Sequence, residues 1–131
     1  MGVAIPNAGY DAYFAYFAEC TRLSLVSDEA VPTDLTGELA AATLVAGDGN
    51  GDFTVGEGDP DGREMVVTEQ EDIEATGTGT SYHAVLSFWT GDAWQIRLVT
   101  ECDERAINHS KGDKVNMQSF ALHVADPTIP A

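Results

Sequence analysis

The chain has 131 residues, with 22 Asp and Glu against 6 Lys and Arg, and a formal net charge of −16. This length suits one domain with its own core, and the charge leaves no basic face for a phosphate backbone, so nucleic acid is not an expected partner. No apolar run approaches the ~20 residues of a bilayer span, and Met1 to Pro6 carries no basic n-region, so neither a membrane nor a secretory start is expected.

The acids are spread from Asp11 to Asp126, and only Lys111 and Lys114 are lysines. In dilute buffer such a surface repels itself and weakens the compact state. At molar salt the Debye length falls to about 3 Å and that repulsion is nearly extinguished. A distributed acid excess with scarce lysine therefore reads as adaptation to high salt, with an ordinary acidic protein as the alternative. Cys20 and Cys102 fit no CxxC spacing. They read as two unpaired, half-buried thiols, with a disulfide between them as the alternative.

Asn7 is placed to cap a helix over 8–19, whose apolar set Tyr10, Tyr13, Phe14, Phe17 and Ala18 has helical spacing. From Thr21 the period changes to two, with Leu23 and Leu25 alternating with Arg22 and Ser24. Further strands are predicted over 38–45, 53–55 and 65–68, with another starting at Ile73 before the small-residue run Thr76 to Ser81. The clearest hairpin puts Tyr82, Ala84, Leu86 and Phe88 on one face and His83, Val85, Ser87 and Trp89 on the other. It turns at Thr90-Gly91-Asp92 and returns with Trp94, Ile96 and Leu98 on one face and Gln95, Arg97 and Val99 on the other. A polar loop over 101–112 leads to a last strand over 115–124, stopped by Asp126-Pro127, with a loose tail over 128–131. Seven to eight short strands between turn signals predict a mainly β, antiparallel β-sandwich with one short N-terminal helix.

Chemistry-bearing patterns are weak. Asp48, Asn50 and Asp52, followed by Thr54, Glu57, Asp59 and Asp61, place oxygen donors at alternate positions, as a Ca²⁺ loop does. Phe53 stands where such a loop has its sharp-turn glycine and Asp59 where it has a bidentate Glu, so a solvated acidic turn with Phe53 in the core is the competing reading. His83, His109 and His123 are scattered; His83 and His123 could share a face only if their strands pair. Gly77 and Gly79 stop short of a phosphate-binding loop, and no nucleophile motif stands out. No cofactor is expected, Ca²⁺ at Asp48, Asn50 and Asp52 being the one candidate, and no enzymatic activity. Trp89, beside the hairpin turn, reads either as a shield for the sheet end or as an exposed ring that stacks on sugar or anchors a subunit.

The order of short motifs resembles a family of small virion proteins of tailed bacteriophages. The resemblance rests on Asn7-Ala8-Gly9 opening the helix, Leu23-Ser24-Leu25, Ala40 to Val45 and Phe53-Thr54-Val55. It continues with Glu74 to Thr80 running into the Tyr82 to Trp89 strand, and with Lys111 to Val115 leading to Ser119 to Leu122. It spans residues 7–127. It departs where Tyr10 replaces the family's usual Arg, and where 48–61 is far more acidic. The resemblance implies a non-enzymatic structural subunit of the virion, assembled in the host cytoplasm, which docks on the major capsid protein or other virion proteins, with a homo-oligomer expected. Repulsion from packaged DNA favours the outer capsid surface, hence a decoration subunit of a virus with a halophilic host. A neck or tail adaptor ring subunit and a carbohydrate- or host-binding module are the alternatives. The expected docking elements are 2–6, Tyr13 and Tyr16 on the helix, and Trp89.

Overall fold

The computed structural model describes residues 7–58, 62–102 and 107–124. Helix α1 (Asn7–Ala18) precedes strands β1 (Arg22–Val26), β2 (Glu38–Thr43), β3 (Phe53–Glu57), β4 (Arg63–Val67) and β5 (Gln70–Glu74). They are followed by β6 (Gly79–Ser81), β7 (His83–Trp89), β8 (Trp94–Glu101), β9 (Ile107–His109), β10 (Lys114–Met117) and β11 (Phe120–Val124). The strand ladders are antiparallel and form four sheets, ordered β2-β1-β7-β8, β11-β4-β3, β10-β5 and β6-β9. The fold is therefore mainly β and sandwich-like, with its helix at the N-terminal end, as the alternation predicts.

Among the described residues the strands outnumber the seven or eight expected, for local reasons. The segment over 115–124 is two strands: β10 pairs with β5 and β11 with β4, so the break at Gln118-Ser119 sends them to different sheets. β6 and β9 pair with each other across the run read as small-residue spacer and polar loop. Three residues are too few for a period of two to show. The expected docking segment 2–6, Asp59 and Asp61 of the acidic loop, the Asp126-Pro127 stop and the tail 128–131 lie outside the described residues.

α1 buries Tyr10, Phe14, Phe17 and Ala18, while Tyr13 and Tyr16 remain 49% and 45% exposed. Tyr13 thus flanks the buried stripe instead of belonging to it. Its ring meets Phe14 and Phe17 edge-on, at centroid distances of 5.5 and 5.2 Å. The helix ends without a cation of its own in the last turn. Its orphan carbonyls are met from outside, by the Gly47 N–H on Ala18 (2.8 Å) and by Arg97 on Tyr16 (2.7 Å).

One cluster of buried side chains joins α1 to three sheets. Leu23, Leu25, Ala40, Ala42 and Leu86 come from the four-stranded sheet, Phe53, Met65 and Val67 from β3 and β4, and Val115 and Met117 from β10. Complete burial of a side chain such as Phe14 or Phe53 stabilises by about 2–3 kcal/mol.

The β7–β8 hairpin departs from its expected faces in two ways. On β7 both faces are closed, because Val85 and Ser87 are as buried as Leu86. On β8 the register shifts: Leu86 faces Leu98, whereas Ser87 faces Ile96, leaving Arg97 unopposed. This bulge ends the simple alternation. Leu98 turns inward with Leu86, while Trp94 and Ile96 share the outer face with Ser87 and Trp89. Trp94, expected on the apolar face, is 36% exposed.

Candidate interaction surface

No described Asp or Glu is among the buried residues, so the acids form a shell around the scaffold. That shell has a gap. Between Glu74 and Glu101 the chain carries a single acid, Asp92, and this stretch builds β6, β7 and β8.

Aromatic and guanidinium groups fill the gap. On the outer face of the hairpin end, Trp89 and Trp94 pair across the strands with ring centroids 5.3 Å apart and planes tilted by 58°. The Arg22 guanidinium lies 5.2 Å from the Trp94 ring centre, a cation–π arrangement. Arg22 is held there from β2, where both Glu38 oxygens accept from it, one bond being 2.8 Å, and Ser24 donates to the same carboxylate. Burial alone would push the Glu38 carboxyl up, but these hydrogen bonds and the Arg22 charge hold it below its ordinary value. The Ser87 hydroxyl, opposite Arg22 in register, is buried without a hydrogen-bond partner.

On the inner face of the same hairpin, the bulge residue Arg97 lies 4.1 Å from the Tyr16 ring centre and 3.9 Å from that of Phe88. It also reaches Glu19 at 3.2 Å. Tyr16 and Trp89, both expected at an interface, thus sit on opposite faces of one hairpin end, with Tyr13 one helical turn from Tyr16. Trp94 and Arg22 belong to the Trp89 face and Arg97 to the Tyr16 face, and sequence reasoning misses all three. The signal that could have found Trp94 is the stretch 75–100, in which Asp92 is the one acid.

The acidic loop is built inward. Asp48 Oδ1 accepts from the Val55 N–H at 2.8 Å, and Asp52 accepts from the Val45 N–H at 2.7 Å and from Gln70 Nε2 at 2.9 Å. Asn50 turns its amide NH₂ onto the Ala46 carbonyl at 2.8 Å. Phe53 between them is fully buried. The three residues named as Ca²⁺ candidates therefore hold a turn together, with carboxylate oxygens spent on backbone N–H groups. Among the described residues no group of three or more His, Cys, Asp or Glu is arranged to hold a metal. A groove of about 350 Å³ beside this loop runs between Asp48 and α1, with Asp11 and Glu19 at its rim and Ala15 and Val55 in its wall.

The histidines do not converge. His123 is exposed on β11, and its strand does not pair with that of His83. His83 is buried, with Nδ1 2.9 Å from the Asp28 carbonyl; a carbonyl only accepts, so Nδ1 carries the proton. His109 is buried on β9 with Nε2 2.9 Å from Ser81 Oγ on β6, and Cys102 Sγ is 3.9 Å from the same oxygen. Ser81 is completely buried, so this Ser–His pair is closed to substrate in the conformation described and ties two short strands together. Burial lowers the His109 ring below its ordinary value, against the opposing pull of Asp113. Cys20 and Cys102 are free thiols, the first buried and the second half-buried.

Comparison of the chain with protein-family models, curated proteins and solved structures found no match.

Proposed function

We propose that this chain is a non-enzymatic structural subunit of a virus particle, a capsid decoration protein on the outer shell of a tailed virus with a halophilic host. The observation that carries the reading is an acidic shell interrupted at the turn end of the β7–β8 hairpin, where Asp92 is the one acid and the exposed Trp89 and Trp94 rings stand beside Arg22. Interface cores are depleted in acids and enriched in those residue types. The shell itself would be repelled by packaged DNA and kept soluble by brine, which favours an outward position. The order of short motifs, which resembles that of small virion proteins of tailed bacteriophages, supports the same reading.

The test is mass spectrometry of purified particles carrying the protein, with its copy number measured against the major capsid protein. Hundreds of copies place it on the shell; about a dozen, the order of a closed ring, place it at the neck or tail; absence from particles overturns the reading. The paired rings of Trp89 and Trp94 favour a second reading, a carbohydrate- or host-binding module, because exposed Trp faces stack on sugars. Glycan-array binding that disappears in Trp89→Ala would support it over the first.

A further inference from the structure

Cations are scarce in this chain, so an unpaired one stands out. The three described arginines, Arg22, Arg63 and Arg97, each pair with carboxylates. The chain's lysines, Lys111 and Lys114, lie within one short stretch, both exposed, and neither pairs with an acid among the described residues. Lys114 faces Glu74 in the β10–β5 register, yet no ion pair closes between them. Lys114 lines a groove of about 350 Å³ where β9 ends and β10 begins, together with Asn108, Asn116 and Asp113. His109 and Val115, both buried, complete its wall.

Internal hydrogen bonds decide which ends of these polar groups are left over. Asn108 Oδ1 accepts from the Thr80 hydroxyl, and Asn116 Oδ1 accepts from the Asp72 N–H at 3.1 Å. An amide whose oxygen is taken offers its NH₂ group, so both asparagines present free donors. The Asp113 carboxylate turns Oδ2 to the Ser110 N–H at 2.9 Å, inside its own turn. The groove therefore brings together an ammonium and two amide NH₂ groups. With 22 acids in the chain, a rim of carboxylates would be the chance outcome, whereas a cluster of donors is not.

We propose that this groove is a binding site for a small organic monocarboxylate. Lys114 and the Asn108 and Asn116 amides donate to its two oxygens, and its short apolar stem packs on Val115. A phosphate dianion fits less well, because Asp113 and a formal charge of −16 repel two negative charges more than one. The inference rests on hydrogen-bond directions at β9 and β10 and not on the virion role, so the two can fail separately.

Nuclear magnetic resonance titration of the isotope-labelled full chain with sodium propionate, from about 0.1 to 50 mM, tests it. Total sodium is held constant, at a level where circular dichroism shows the chain folded. Saturable shifts of the Asn108 and Asn116 side-chain amide signals are expected, with propionamide and inorganic phosphate binding at least about ten-fold more weakly. Asn116→Asp keeps an oxygen for the Asp72 N–H but replaces the donor with a like charge, and is expected to weaken propionate at least about ten-fold. Lys114→Gln removes the ammonium without breaking an ion pair, and is expected to weaken propionate several-fold. Circular dichroism confirms that each variant is folded, and should Asn116→Asp fail to fold, Lys114→Gln decides alone. Absence of saturable shifts at these amides up to about 50 mM overturns the inference, and so does propionate binding that neither variant weakens. Phosphate or propionamide binding as tightly as propionate overturns the assignment to a carboxylate.

Discussion

The Arg97 guanidinium donates to the backbone carbonyl of Tyr16 at 2.7 Å, joining an edge strand to the end of a helix 81 residues earlier in the chain. The bulge on β8 makes this reach available, because it leaves Arg97 without a cross-strand neighbour. The side chain is only 9% exposed and fills the space between the Tyr16 and Phe88 rings.

Arg97→Ala removes a helix-end hydrogen bond and two ring contacts together. A loss of about 1–3 kcal/mol is expected in urea unfolding, with fraying of the helical signal at its C-terminal end. Arg97→Lys recovers little of this, since an ammonium cannot lie flat between two rings while donating to a carbonyl. A wild-type midpoint in Arg97→Ala would show that the helix is held by its apolar face alone.

Stability is expected to fall as salt is lowered from molar to below ~0.2 M, where screening of the acidic surface weakens. Thermal melts across a NaCl series measure this. A midpoint that does not move would remove the argument for adaptation to brine.

Acidification is expected to weaken the fold in two steps. Burial places the folded value of His109 below its ordinary 6.5, so near that pH the unfolded chain binds a proton that the folded chain does not. The contribution of His109 is complete above about pH 6.5 and is lost as pH falls through the folded value. Glu38, held below its ordinary 4.5, adds stability above about pH 4.5 that disappears as pH falls through its own folded value. Urea midpoints at about pH 8, 6 and 4 follow both steps. His109→Gln flattens the first and leaves the second.

Asp52→Ala removes acceptors from the Val45 N–H and from Gln70. A loss of about 1–3 kcal/mol is expected, because two donors lose their partner. Chelator is expected to leave the wild-type midpoint unchanged, since these oxygens are already occupied by protein donors. A large drop with chelator would restore the calcium reading of the loop.

Period-two alternation made the longer strands legible: Leu23 and Leu25 on β1 and Phe120 and Leu122 on β11 point inward as the spacing says. Alternation failed where the backbone inserts a residue, as at Arg97, because one extra residue inverts every later side chain. It failed again at β5, where Asp72 sits at φ 56° opposite a register shift between Val115 and Met117. Both rings are exposed, Tyr16 having been legible as a docking candidate and Trp89 as either a shield or an exposed ring. Their closeness to Arg97 and Arg22 was not, because those contacts cross from helix to sheet or between strands distant in sequence.

Cys20 lies completely buried beneath the end of α1, and burial pushes its thiol up to about 11, outweighing the pull of nearby Arg97. At neutral pH only about one molecule in ten thousand carries the thiolate there, and the surrounding side chains shut out oxidants and alkylating reagents. The sulfur therefore behaves as a small apolar filler. The same packing can form in a reducing cytoplasm and persist in an oxidising medium without a change of covalent state at this position.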